Sequence, residues 1–173
     1  MSRDAERAEV MWEGRYIRAM KLGRWEFTSR CKGMTAVVIL AEHEGKVLLV
    51  EQERPAIGRR CIELPAGLVG DEDEAATVLG TAEKELLEET GFEAEHFELL
   101  GEFYSSPGMI AESFTLVRAT GLMKVTDGGG NEDEEIVVHQ VARDDIPGFV
   151  ERMRGEGKAI DVRLLLLLGS ALA

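Results

Sequence analysis

The segment Lys84 to Phe92, KELLEETGF, places Glu85, Glu88 and Glu89 within five residues of one another. On a helix these acids are i,i+3 and i,i+4 neighbours, and like charges at those spacings oppose helix formation by roughly 0.2–0.5 kcal/mol per pair. Lys84 alone does not neutralise them. The crowding makes chemical sense if a hard cation joins the group, because Mg²⁺ takes carboxylate oxygens and keeps waters that a phosphate can displace. The plain alternative is a solvated acidic face on an acidic protein. Read as a helix over about residues 74–90, the segment has an apolar stripe at Ala75, Leu79, Ala82 and Leu86, spaced 4, 3, 4. The three acids then fall on a neighbouring stripe, at the edge of the buried face. Gly91 stands where a left-handed C-terminal glycine belongs, and Phe92 returns to the core. Upstream, ELPAGLVG leads toward the helix N-terminus, where backbone groups and the macrodipole act on an anion.

The chain that must position these groups has 173 residues, a length for one domain with at most a small accessory element. It carries 33 Asp and Glu against 20 Lys and Arg, a net charge of −13. That balance argues against nucleic-acid binding, which draws on Lys and Arg. A phosphate ligand remains compatible if divalent cations lie between it and the protein. Cys31 and Cys61 form neither a CxxC pair nor a zinc pattern and read as reduced, partly buried thiols. His43, His96 and His139 show no ligand spacing. The charged start MSRDAERAEV lacks an apolar signal region. The run from Leu164, LLLLLGSALA, is about half a membrane span. The expectation is a soluble cytoplasmic protein that binds no membrane.

Residues 1–32 read as an accessory segment of two or three antiparallel strands broken at Gly14 and Gly23, and residues 33–173 as the main domain. MTAVVILAEHEGKVLLVEQER is a hairpin of buried strands about Glu44-Gly45. CIELPAGLVG is a short strand entering a turn. FELLGEFYSS and ESFTLVRATGL are strands flanking SPGMI, DGGGNEDEE is a flexible acidic loop, and EIVVHQVA is a further strand. Two helices close the chain, each with Asp near its start. Strands mixed with helices in this order predict an α+β domain whose sheet is covered on both faces.

With these elements in place, the residues resemble the Nudix hydrolase signature, G-x5-E-x7-R-E-U-x-E-E-x-G-U, where U is aliphatic or aromatic. EKELLEETGF matches its second half, with Lys84 where Arg is usual. Gly67 matches the leading Gly. Asp73 falls where Glu is usual, and ten residues, not seven, separate Asp73 from Lys84. Pro107 in SSPGM, the EQERPAIG…IELPAG approach and the acidic stretch NEDEEIVVH are similar to the subgroup acting on ADP-ribose and related nucleoside diphosphate sugars.

The resemblance implies a Nudix-type α/β/α sandwich with a mixed sheet, plus the small N-terminal antiparallel β element. It implies Mg²⁺-dependent hydrolysis of a diphosphate linkage, with Mn²⁺ able to substitute, and ADP-ribose giving AMP and ribose 5-phosphate as the leading case. Glu85 and Glu89 are the implied metal ligands, Glu88 a ligand or an outer partner with a catalytic part, and the Ala66 carbonyl a further ligand. The implied general base lies in the acidic loop at Glu132, with Glu134 second, and the glycines before Asn131 are read as a hinge that lets this loop close over substrate. Arg54, Glu63, Gly67, Pro107 and Glu112 are substrate-binding candidates, with Trp25 and Phe27 as stacking candidates for adenine. The subgroup implies a homodimer formed through the N-terminal strands. Another diphosphate substrate (a GDP-sugar, NADH, a dinucleoside polyphosphate or coenzyme A) is an alternative, and so is a catalytically weakened nucleotide sensor.

Overall fold

The computed structural model describes residues 8–172 apart from 72, 74, 132 and 133. At the N-terminus, β1 (Glu9–Glu13), β2 (Ile17–Leu22) and β3 (Trp25–Arg30) form a three-stranded antiparallel sheet of their own, turning near Gly14 and at Gly23. Thr28 ties this sheet to the rest of the chain: its N–H donates to the Met109 carbonyl at 2.9 Å, and its carbonyl accepts from the Ala111 N–H at 2.8 Å.

The larger sheet is built on β4 (Thr35–His43) and β5 (Lys46–Arg54), joined by the tight turn Glu44-Gly45. Both turn residues have positive φ, 50° and 75°, as hairpin turns of matching twist require. Around them lie β6 (Arg59–Glu63), β7 (Ala66–Val69), β8 (Phe92–Tyr104), β9 (Ser113–Lys124), β10 (Val137–Ala142) and the two-residue β11 (Ala159–Ile160). The strand order is β11-β6-β5-β4-β9-β8, with β10 beside β5 and β7 beside β4. The β4–β9 and β6–β11 pairs are parallel and the others antiparallel, so the sheet is mixed.

Strand periodicity divides the core into two layers. Val38, Val47 and Leu49 face α2 (Ile146–Gly155) and α3 (Leu165–Leu172), packing with Phe149, Val150, Met153 and Leu168. Val37, Ile39 and Leu48 face the other way, onto Ala82 and Leu86 of the acidic helix. The covered-sheet sandwich expected from the sequence is therefore the observed architecture. No described helix is long and apolar enough to cross a membrane.

The acidic helix starts later than the sequence reading has it. α1 runs Val78–Glu85, with Thr77 as N-cap: its Oγ1 accepts the Gly80 N–H at 3.1 Å. The three extra signature residues sit in the preceding loop, where Asp73 is a turn former. Its Oδ1 accepts the Ala75 N–H and its carbonyl accepts the Ala76 N–H, both at 2.9 Å. Ala75 is thus outside the helix and exposed, and Leu79 faces outward. Ala82 and Leu86 are buried as the sequence pattern predicts, and Val78, in place of Leu79, packs beside them at the helix start. After Glu85 the coil widens into one π-helical turn, Leu86–Thr90, closed by Gly91 at φ 78°. Single π turns of this kind concentrate at functional sites.

Candidate active site

Two neighbouring backbone positions on β7 receive the carboxylates of the acidic helix. The Ala66 N–H donates to Glu89 Oε2 at 3.0 Å, and Glu89 is only 4% exposed. At Gly67, a Cβ would stand 2.1 Å from Glu85 Oε1 and 2.3 Å from its Cδ. Position 67 is glycine because the Glu85 side chain occupies the space any larger residue would need. Glu88, one turn further out, is half-exposed and lies 3.9 Å from Lys84 Nζ.

Burial is the main force on both inner acids. It pushes the Glu85 carboxyl up to about 7, helped by the field of Glu88 and then Glu134. It pushes Glu89 up to about 8, where the Ala66 hydrogen bond lowers the value and the Glu85 and Glu134 charges raise it again. A buried and a partly buried carboxylate that repel each other, the second cradled against a glycine, suit a hard divalent cation. Among the described residues, no three acidic, His or Cys side chains are already gathered about one point. Glu85, Glu89 and the outer Glu88 would leave coordination positions to water on such an ion, as Mg²⁺ keeps.

The acidic loop meets this helix from above. The Gly129 N–H donates to the Glu89 carbonyl at 3.0 Å and the Gly130 N–H to the Glu88 carbonyl at 2.9 Å. A Cβ on Gly128 would lie 2.4 Å from the Thr90 carbonyl carbon. Gly128 is thus needed for close backbone approach, and the amides of Gly129 and Gly130 are bonded to the π turn. Glu134 lines the cavity, with the Asn131 N–H donating to its Oε2 at 3.3 Å. Glu132, the first-choice base, lies outside the described residues, as does Asp133.

The cavity beneath has a volume of about 830 Å³. Three guanidinium groups also line it, each paired with a carboxylate. Arg54 donates through Nε (2.6 Å) and Nη2 (2.8 Å) to the carboxylate of Glu63, which is 2% exposed. Arg163 also reaches Glu63 at 3.0 Å and is braced by Asp161 at 2.6 Å. Arg30 holds Glu112 at 2.7 Å. Cys61 also lines the cavity, but burial, then the field of Glu63, pushes its thiol up to about 12, so it is no nucleophile. Trp25 and Pro107 are exposed and Phe27 is half-buried, and none of the three lines this cavity.

A family model for the NUDIX domain matches residues 32–156. The chain belongs to the Nudix family. It is 36% identical over 120 residues to an ADP-ribose pyrophosphatase of Bacillus subtilis, covering 67% of this chain and 62% of that protein. It is 35% identical over 127 residues to a methanol dehydrogenase activator of Bacillus methanolicus (72% and 66% covered). A GDP-mannose pyrophosphatase of Cronobacter sakazakii is 33% identical over 146 residues (79% and 72%). The chain spans less than two thirds of the length of the first two of these relatives. Its fold is shared with a solved ADP compounds hydrolase at a TM-score of 0.64 and 17% identity, covering 88% of this chain and 94% of that one.

Within the Nudix frame, the structure brings together Glu85, Glu88, Glu89, Ala66, Gly67, Arg54, Glu63, Glu112 and Glu134 around one cavity. Asp73 also lines it, though its hydrogen bonds shape the loop. Sequence reasoning missed Arg163, Asp161 and Arg30. Arg163 lies 100 positions from Glu63, and its one local signal is Asp161, whose Oδ1 accepts the Arg163 N–H at 2.7 Å and so starts a helical turn.

Proposed function

We propose that this chain hydrolyses the diphosphate linkage of a nucleoside diphosphate sugar, with ADP-ribose, yielding AMP and ribose 5-phosphate, as the leading substrate. The observation that carries the reading is a single cavity lined both by the carboxylates of partly buried Glu85 and buried Glu89 and by the guanidinium groups of Arg54 and Arg163. Glu85 and Glu89, with Glu88 beside them and the Ala66 backbone near, would hold Mg²⁺ or, in its place, Mn²⁺. When bound, the ion supplies charge neutralisation at the diphosphate and lowers the pKa of the attacking water. In the balanced reaction a water oxygen bonds to one phosphorus, the bridging P–O bond breaks, and X–P–P–Y becomes X–P and Y–P.

The chain's own groups divide the remaining work. A loop carboxylate, Glu134 or Glu132, accepts the water proton; the negative field of Glu134 already reaches Glu85 and Glu89. Arg54 and Arg163, held in place by Glu63 and Asp161, present planar donors to the substrate's anionic end. Glu112, oriented by Arg30, is placed to accept from ribose hydroxyls. Residues 1–32 serve a homodimer: Val10, Met11, Trp12 and Trp25 leave the N-terminal sheet with an exposed apolar surface. Trp25 and Phe27 stack on an adenine only if a second subunit brings a cavity to them.

A GDP-sugar is the second reading, favoured by the match to a GDP-mannose pyrophosphatase. Product analysis over a panel of nucleoside diphosphate sugars with Mg²⁺ tests both. Highest kcat/KM on ADP-ribose supports the first, and preference for a GDP-sugar moves the assignment to the second. Tight nucleotide binding with no turnover would mean a sensor.

A further inference from the structure

On the sheet face away from the acidic helix lies a buried polar cluster that the hydrolytic site does not use. Glu51 on β5 is 3% exposed and collects three basic partners from three other segments. Arg60 on β6 donates through Nε to its Oε1 at 2.7 Å. His139 on β10 lies 3.0 Å from its Oε2, and Lys158, after α2, donates to Oε1. Burial by itself would raise the Glu51 carboxyl, but the hydrogen bonds from Lys158, His139 and Arg60 outweigh it and hold the group at about 2.

Arg60 carries the cluster outward. Its Nη2 donates both to the Glu51 carbonyl and to the Glu135 carbonyl, each at 3.0 Å. Glu135 is the residue after Glu134, at the C-terminal root of the acidic loop. The N-terminal root is bonded separately, through Gly129 and Gly130 to the carbonyls of Glu89 and Glu88. The Ile136 N–H, donating to the Gly129 carbonyl at 3.1 Å, ties the two roots together. The two roots of the loop are therefore pinned, one to the carboxylate helix and the other to Arg60.

We propose that Arg60, braced by the buried Glu51 cluster, is a positioning residue that holds the C-terminal root of the acidic loop and so sets where Glu134 stands relative to Glu85 and Glu89. The proposal rests on the reading that a carboxylate of this loop serves the hydrolysis. Arg60 touches no reacting atom; it acts through the Glu135 backbone. A fork of guanidinium donors is needed, since one side chain must satisfy Glu51 and the loop carbonyl together.

The test is R60K. Its single ammonium keeps Glu51 compensated, which protects folding, but does not reproduce the fork. Steady-state kinetics on ADP-ribose are read beside amide hydrogen exchange. The expected result is a kcat lower by about tenfold, the effect of a small misplacement of a reacting group. KM and the Mg²⁺ concentration for half-activation stay within about twofold, and exchange speeds up over residues 131–136 but not over 78–90. E51Q, isosteric with Glu51, is the second variant and should loosen the same segment. R118K, altering an exposed pair with Glu98, is the control and should change nothing. A folded R60K with wild-type kcat, or with unchanged exchange over 131–136, overturns the proposal. Should the wild-type protein cleave no diphosphate, the functional reading fails instead, and the exchange measurement still decides whether Arg60 anchors the loop.

Discussion

Gly67→Ala isolates the metal-ligand geometry from the rest of the fold. The added methyl would lie 2.1 Å from Glu85 Oε1, where ordinary contact begins at 3.4 Å, so the carboxylate must retreat by more than an ångström. Gly67 does not have a positive φ, so alanine brings no backbone strain. The clashing atoms belong to the outer part of a flexible side chain that can swing away. The fold should tolerate the change, with Tm within about 3 °C, which is roughly 1 kcal/mol for a chain of this size. Catalysis should not. A displacement of ~1 Å at a reacting centre costs on the order of 10²-fold, or about 2.7 kcal/mol on the barrier. The assay is kcat on ADP-ribose across a Mg²⁺ titration, with thermal unfolding alongside. The expected outcome is a kcat about 100-fold lower and a higher half-saturating Mg²⁺. Adding E85Q to the same chain should cost little more, because both changes remove one ligand. Full activity at unchanged Mg²⁺ dependence would refute the assignment of Glu85 as a ligand, and a large loss of Tm would show that Gly67 serves the fold.

Three further outcomes follow from the geometry. Glu134→Gln should lower kcat by about 10²–10⁴-fold with KM within a few-fold, as for loss of a general base; if turnover is near normal, Glu132→Gln is the variant that must lose it. In the metal-free protein, Glu85 and Glu89 have folded values near 7 and 8, above the ordinary 4.5, so between those limits the folded state binds more protons than the unfolded one. Stability in EDTA should therefore fall as pH rises from about 5 to 8.5, and Mg²⁺ should flatten that slope; a Tm that climbs with pH over this window contradicts the burial of the pair. Light scattering at micromolar concentration should give a dimer mass, and Trp12→Glu should reduce it; a monomeric wild type rejects the dimer.

Much of the site was legible because it is local. The i,i+3,i+4 spacing of Glu85, Glu88 and Glu89 and the glycine at 91 depend on residues within one or two turns, and the hairpin turn at Glu44-Gly45 on two. The buried positions Ala82 and Leu86 were legible, but the helix start was not. Ala75 and Leu79 fit an apolar stripe as well as Val78 does, and the choice fell to the loop containing Asp73, whose turn starts the helix later. Gly128–Gly130 read as a flexible run for a related reason. Glycine permits both mobility and close backbone approach, and the approach of Gly128 to the distant Thr90–Gly91 backbone is visible only in the fold.

The order of residues along the chain settled which acids could share a cation and which strands could pair, since both follow from helical and strand periodicity over a few residues. Tertiary structure decided how deeply each acid is desolvated. It buried Glu89 against the Ala66 amide and left Glu88 half-exposed, joined Arg163 to Glu63, and ran a guanidinium from buried Glu51 to the acidic loop. Desolvation and long-range pairing depend on atoms that meet only after folding, and no local pattern encodes which those will be.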